Sequence, residues 1–236
     1  MINIGMATVP SRFKHLKKIV PPLLKQCDTM FIHVNGSQQC PEFLKKEPKI
    51  KLSFSNVNKG GQMAFKGIQQ THGYYFCVDD DLVYPEDYVE KMIELMKMYQ
   101  NQVIACVHGS SFDPFVPVHK VFKNKKKPYL SYKGLDKNRP VMIPGVGTSC
   151  MHTDVFAVTP GEFKQKNMRD AVVSCKAAKA GIPIIAIKRR ENWIQKIPVK
   201  TEINKNKAYD DHIDALFSKH IAYFQEGAVD LGEEET

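Results

Sequence analysis

Apolar, β-branched runs alternate with segments of helical periodicity along most of the chain. Ile2 to Val9 predicts a strand. Phe13, Leu16, Ile19, Val20, Leu23 and Leu24 then share one face of a helix, with Pro21-Pro22 placed to kink or break it. Met30 to Asn35 and Ile50 to Ser55 read as strands. The turn Asn58-Lys59-Gly60-Gly61 opens a predicted helix that runs to about Thr71. Tyr74 to Val78 is a buried strand leading straight into Asp79-Asp80-Asp81. Pro85 begins a helix with Tyr88, Val89, Met92, Leu95 and Met96 on one side, since proline is tolerated in a first turn. Val103 to Val107 is the next strand.

This β-α-β-β-α-β-α-β order predicts an α/β fold, a mostly parallel sheet wrapped by helices. Ligands of such sheets bind beyond the carboxyl ends of the strands, and the acidic triplet lies at such an end. From Gly109 to Pro140 the pattern dissolves into Pro, Lys, Gly and aromatic residues, and long irregular inserts of this kind are usually functional or mobile. Order returns with Val141 to Val146, Met151 to Val158, a helix from Met168 to Ala180 and a strand from Pro183 to Lys188. Ala208 to Phe224 reads as a helix, with Ile213, Leu216, Phe217, His220 and Ile221 on one face. The tail from Glu226 to Thr236 is acidic and reads as disordered. No internal repeat is evident.

With 236 residues, 43% of them hydrophobic, the chain can bury one sizeable core. Its 34 basic against 25 acidic residues give +9, which points to an anionic partner: a nucleotide, a nucleic acid or an acidic membrane surface. The cluster Lys123-Asn124-Lys125-Lys126-Lys127 suits a binding patch and a solvated loop about equally. Six dispersed cysteines form no CxxC pair, and Cys77, Cys106 and Cys175 sit among apolar neighbours as buried thiols. The N-terminus lacks the features of a signal peptide, and no apolar run approaches the roughly 20 residues of a membrane span. The expectation is a cytoplasmic protein that touches a membrane from the side, if at all.

The triplet carries the chemistry. In an extended segment Asp79 and Asp81 project to one side and Asp80 to the other. Two converging carboxylates raise each other's pKa unless a cation neutralises them. Oxygen-only ligands favour Mg2+ or Mn2+, which commonly complete their shell with water and substrate phosphates. The blander reading is a solvated turn, with Glu86 and Asp87 favouring the N-terminus of the next helix.

Three segments taken together resemble the nucleotide-sugar-binding half of GT-A glycosyltransferases, most like family 2. They are Ala7-Thr8-Val9-Pro10-Ser11-Arg12, the Asn58-Lys59-Gly60-Gly61 turn and Cys77-Val78-Asp79-Asp80-Asp81. Further on, Gly145-Val146-Gly147-Thr148-Ser149-Cys150 is similar to the family's Gly-rich acceptor-side segment. Asn167-Met168-Arg169-Asp170 matches the place of its catalytic carboxylate, and Ile182-Pro183-Ile184 followed by Arg189, Arg190 and Trp193 matches its later strand and basic-aromatic sequel. The family often has Glu-Asp where this chain has Arg169-Asp170.

The resemblance implies a GT-A (Rossmann-like) fold: a mixed, mostly parallel central sheet flanked by helices in a single catalytic domain, residues 1–225. Residues 1–108 would bind the nucleotide sugar and 109–225 the acceptor. It further implies an inverting, hexosyltransferase-like enzyme that uses Mn2+ or Mg2+. The sugar would pass from a nucleotide-sugar donor such as a UDP-sugar to a glycan, lipid-linked or protein acceptor. Asp81 would hold the metal, and Asp79 the ribose, the metal or both. Asp80 is ambiguous but kept with the nucleotide site. Thr8, Val9, Pro10 and Arg12 would form the nucleoside loop, although Arg12 reads equally as a surface charge. Asn35, Asn58 and Lys59 would meet base or phosphate, with Gly60 and Gly61 permitting close backbone approach. Arg189 and Trp193 would steady diphosphate and acceptor. Asp170 would be the base, or simply a helix N-terminal acid. His212 is a candidate metal or phosphate ligand or an exposed histidine, and His152 is similarly open. His33, His72, His108 and His119 read as structural.

Two other readings compete. A sugar-phosphate nucleotidyltransferase would use similar acidic ligands, but ATVPSR lacks the glycine its triphosphate loop usually needs. A non-enzymatic, basic nucleic-acid-binding protein accounts for the charge, but no recognition motif supports it and no nucleic acid is expected.

Overall fold

The computed structural model describes residues 1–118, 121, 126–199 and 207–230. In chain order the first half comprises β1 (Ile2–Thr8), α1 (Phe13–Leu24), β2 (Thr29–Asn35), α2 (Glu42–Lys45), β3 (Ile50–Ser55), β4 (Tyr74–Val78), β5 (Leu82–Val83), α3 (Tyr88–Met98) and β6 (Ile104–Cys106). The second half comprises β7 (Gly109–Ser111), β8 (Lys126–Tyr129), β9 (Arg139–Val141), β10 (Ile143–Pro144), β11 (Thr148–His152), α4 (Arg169–Lys179), β12 (Ile184–Ala186), β13 (Gln195–Lys196) and α5 (Lys207–Asp230).

Eight strands form the central sheet in the order β3-β2-β1-β4-β11-β6-β12-β9. β1, β2, β3 and β4 are mutually parallel, as are β6 and β12, while β11 and β9 run against their neighbours. This is the mixed, mostly parallel sheet that the alternation of patterns predicts. Both faces are covered, so strand residues of either parity are apolar. Phe76, Val78, Ala105 and Val107 pack with Leu16, Ile19, Leu23, Met92 and Leu95 of α1 and α3. Tyr75, Cys77, Ile104 and Cys106 face the opposite side, with Phe65, Val173 and Ala177 of the α4 layer. A third cluster seats Ile213, Phe217 and Phe224 of α5 against α4 and Phe112. All six cysteines are free thiols, and Cys77, Cys106 and Cys175 are buried as expected. Among the described residues no helix is long and apolar enough to cross a membrane.

Several local expectations change. α1 continues through Pro21-Pro22. The carbonyls that these prolines deprive of partners belong to Lys17 and Lys18, on the exposed face, where water can serve them. The segment after Gly61 forms two 3-10 turns, Gly61–Phe65 and Ile68–Gln70, in place of an α-helix. There Gln62, Met63, Ala64 and Phe65 are all buried, and the Tyr75 hydroxyl donates to the Ala64 carbonyl at 2.7 Å, a tertiary partner for a group a helix would have paired itself. The strand expected over Met151 to Val158 is β11, shifted back to Thr148. The insert after Gly109 supplies β7 and β8, which pair with β10 in a small sheet. α5 reaches Asp230, so the first residues of the expected acidic tail are helical, and residues 231–236 lie outside the described residues. So do His119 and Lys123 to Lys125. Lys126 of that basic cluster pairs with Asp113 at 2.9 Å.

Candidate active site

β1, β2 and β4 deliver Thr8, Asn35 and Asp79 to the same end of the sheet. Asp79-Asp80-Asp81 does not continue the strand but turns between β4 and β5. The turn is fixed from two sides. The Asp79 amide donates to the Tyr84 hydroxyl at 2.7 Å, which itself donates to the Gly147 carbonyl at 2.5 Å. The Asp81 carbonyl accepts the Ile197 amide at 2.8 Å. Tyr84 is buried, and burial holds its pKa well above the ordinary tyrosine value, so the hydroxyl keeps its proton. Because the triplet is not extended, its side chains do not follow strand parity.

Each acid has a different fate. Asp80 is 4% exposed, lies beside the buried Thr8 and pairs with Arg12 Nη1. Burial raises its pKa against the pull of that guanidinium. The same Arg12 nitrogen is 3.4 Å from Asp81 Oδ2. Asp81 is also raised, by burial and then by Asp79, with Arg12 and Lys196 opposing. Asp79 Oδ1 accepts from Arg169 Nη2 at 2.7 Å. Arg12 is therefore a partner of the acids and no loose surface charge, whereas Asp80 is too enclosed to offer a free carboxylate.

The remaining loops are built around these acids. Val9 accepts the Arg12 amide at 2.9 Å, closing the 3-10 turn Pro10–Arg12, whose Pro10 is exposed. Buried Asn35 accepts the Lys59 amide at 2.9 Å and donates to the Gly60 carbonyl at 3.2 Å. The Asn58 side chain accepts the Gly60 amide at 2.8 Å. Gly60 has φ +90, which a side chain would strain, and a Cβ on Gly61 would come within 2.8 Å of Arg169 Nε. Asn35 thus pins the Asn58–Gly61 turn from within, and Asn58 and Lys59 remain exposed at its rim.

Asp170 opens α4. Its Oδ1 accepts the Val146 amide at 3.0 Å. On the neighbouring residue, Gly147 backs directly onto the Asp79 carboxylate. One dipeptide therefore touches both the acidic turn and the candidate base. The start of α5 lies alongside, with the Tyr209 hydroxyl donating to the Asn167 carbonyl at 2.9 Å and Asp170 helping to raise the Tyr209 pKa after burial, to about 12.

Other expected residues are placed elsewhere. Arg189 is buried, donating at 2.9 Å to the Ile187 and Leu130 carbonyls, and burial lowers its pKa to about 10. Trp193 is buried against Tyr88, and its Nε1 donates to Asp87 at 2.8 Å. Both border a cavity of about 380 Å3 against α3 that none of the three acids lines. Neither side chain is free to steady a diphosphate at the triplet. His212 is exposed on the rim of a groove of about 730 Å3 between α4 and α5, beside Val172 and Leu216, and is not gathered with the acids. His152 is excluded by register. It pairs with Tyr74 at the start of β4, and four residues of strand put it about 13 Å from the triplet's end. His33 is structural, held between the Ser53 and Ser55 hydroxyls, with burial lowering its pKa to about 4.

Three residues of the crevice were not among the expected ones: Arg169, Tyr84 and Lys196. Arg169 had a visible signal, being a cation at a position where the resemblance puts a carboxylate. Lys196 lies in β13, beyond the expected Arg189, Arg190 and Trp193, and its charge acts on Asp81.

Among the described residues no three His, Cys, Asp or Glu side chains converge as a metal-binding group. Asp79 and Asp81 nonetheless suit Mg2+ or Mn2+: both are hard oxygen donors close enough for Asp79 to raise the Asp81 pKa, and such ions take one or two carboxylates with phosphates and water.

Residues 24–156 match the family model for glycosyl transferase family 2. The match takes in the triplet and the Gly-rich segment and ends before Asp170. No curated protein matches the chain.

Proposed function

Because the chain belongs to glycosyl transferase family 2, we propose that it transfers a sugar from a UDP-sugar to a hydroxyl acceptor with inversion, in glycan or polysaccharide biosynthesis. Residues 1–108 bind the donor and residues 109–225 the acceptor, which is a glycan, a lipid-linked sugar or a protein. The observation that carries this reading is the Val146-Gly147 dipeptide, whose Val146 amide is bonded by Asp170 and whose Gly147 abuts the Asp79 carboxylate.

Asp81 and Asp79 would hold Mn2+ or Mg2+, which would supply positive charge against a diphosphate leaving group. Arg12 and Lys196 limit the repulsion among the acids. The Asn58–Gly61 turn and the Thr8–Arg12 loop flank the nucleoside. Asp170, one oxygen oriented by the Val146 amide, takes the acceptor hydroxyl's proton as the hydroxyl oxygen bonds the anomeric carbon and the bond from that carbon to the diphosphate breaks, releasing UDP. The basic surplus and free thiols support a cytoplasmic protein with side-on contact to an anionic membrane.

The test is slow hydrolysis of a panel of UDP-sugars with Mn2+. Turnover of one, lost in Asp81→Ala, is expected. Pyrophosphate release from a nucleoside triphosphate and a sugar phosphate, with no UDP-sugar turnover, would instead establish a nucleotidyltransferase.

A further inference from the structure

Arg169 sits between two parts of the donor crevice. Its Nη2 bonds Asp79 Oδ1 at 2.7 Å, and its Nε rests where a Cβ on Gly61 would lie 2.8 Å away. Its side chain is 16% exposed and that of Asp79 32%. Burial works against the Arg169 charge, but Asp79 and then Asp170 outweigh it and raise its pKa above the ordinary arginine value. The other two acids face Arg12, with Lys196 near Asp81. The crevice is thus already largely neutralised by its own cations.

A divalent ion arriving alone would have to detach Arg169 from Asp79 and leave an enclosed guanidinium without its partner, a costly exchange. A diphosphate arriving with the ion changes the balance. It brings the negative charge that the crevice then lacks, in a form that guanidinium binds well. We propose that Arg169 is a resident counter-cation that makes metal binding depend on the donor, releasing Asp79 when a diphosphate is present to receive it. Arg169 is thus a positioning residue, and the inference rests on the donor site proposed above.

Linkage gives the test, because a donor that raises metal affinity must have its own affinity raised by the same factor. Mn2+ binding is measured by calorimetry on the full chain, with and without uridine diphosphate, for wild type, Arg169→Gln and Gly61→Ala. Gly61→Ala approaches from the other side, since its methyl crowds the movable end of the Arg169 side chain without requiring a forbidden backbone angle. Both variants are expected to bind Mn2+ alone about tenfold more tightly than wild type, within the usual range of such couplings. The gain in Mn2+ affinity on adding uridine diphosphate should shrink in Arg169→Gln. Unchanged affinity for Mn2+ alone in the folded variants, or an undiminished gain, overturns the proposal. Should Arg169→Gln fail to fold, Gly61→Ala decides on Mn2+ alone. A wild-type protein that binds Mn2+ but gains nothing from uridine diphosphate overturns the donor assignment, while the comparison of Mn2+ affinities still judges Arg169.

Discussion

The carboxylate of Asp79 fills the space that a side chain on Gly147 would need. Backbone and acid are held in that contact by the Tyr84 hydroxyl, which bonds the Asp79 amide and the Gly147 carbonyl together. Gly147→Ala must therefore push the acidic turn away. A loss of about 1–3 kcal/mol is expected from overpacking, measured by urea unfolding, together with loss of Mn2+-dependent uridine diphosphate binding. An alanine variant that keeps both would show that the turn can move freely.

Asp81 links pH to stability. Its folded pKa is raised, so the folded state favours the protonated form. The stability this gives is present below the unfolded value of about 3.9 and is lost as pH rises through the folded pKa. At pH 7 the partly buried charge is a liability in the metal-free protein. Asp81→Asn should melt above wild type at pH 7, and the difference should vanish as pH falls through the carboxylate range. Thermal melts across pH 3 to about 8 check the sign, and a variant less stable at pH 7 contradicts it.

Asp170→Asn separates chemistry from binding. An asparagine oxygen can still accept the Val146 amide, so the Gly-rich segment should keep its place. A fall in kcat of roughly 100- to 10,000-fold is expected for loss of a general base, with donor affinity within about twofold. Equal loss of both would make Asp170 a structural cap.

Asn35 tests the proposed nucleoside side. It is 2% exposed and bonds both the Lys59 amide and the Gly60 carbonyl. Asn35→Ala should lower stability by about 1–3 kcal/mol and weaken uridine diphosphate binding, because the two backbone groups lose their partner and the turn its anchor. Calorimetry and denaturant unfolding on the same samples test both parts.

The features legible in the sequence are the local ones. The apolar run Tyr74–Val78 ending in three acids marks its strand and the candidate site within one short window, and the buried stripe of α1 is plain from spacing. What could not be read depends on distant partners. Arg12 and Asp80 are 68 residues apart, and Arg169 and Asp79 are 90 apart, so nothing near either arginine shows which acid it meets. In place of the helix expected after Gly61 there are 3-10 turns, and Tyr75, from β4, takes the Ala64 carbonyl. Arg189 shows the converse: a basic residue in a suggestive place, drawn inward by two carbonyls of its surroundings.

The antiparallel strand β11 is lodged between β4 and β6, although both of those precede it in the chain by some forty residues or more. During synthesis β4 must therefore wait with one edge open until residue 152 has emerged, and β6 with both, since its other neighbour β12 follows later still; edge-to-edge association is the hazard in that period. Residues 1–108 are consequently no separable module: a truncation ending before Thr148 would leave the β3-β2-β1-β4 sheet with β4 uncovered and β6 with neither of its neighbours.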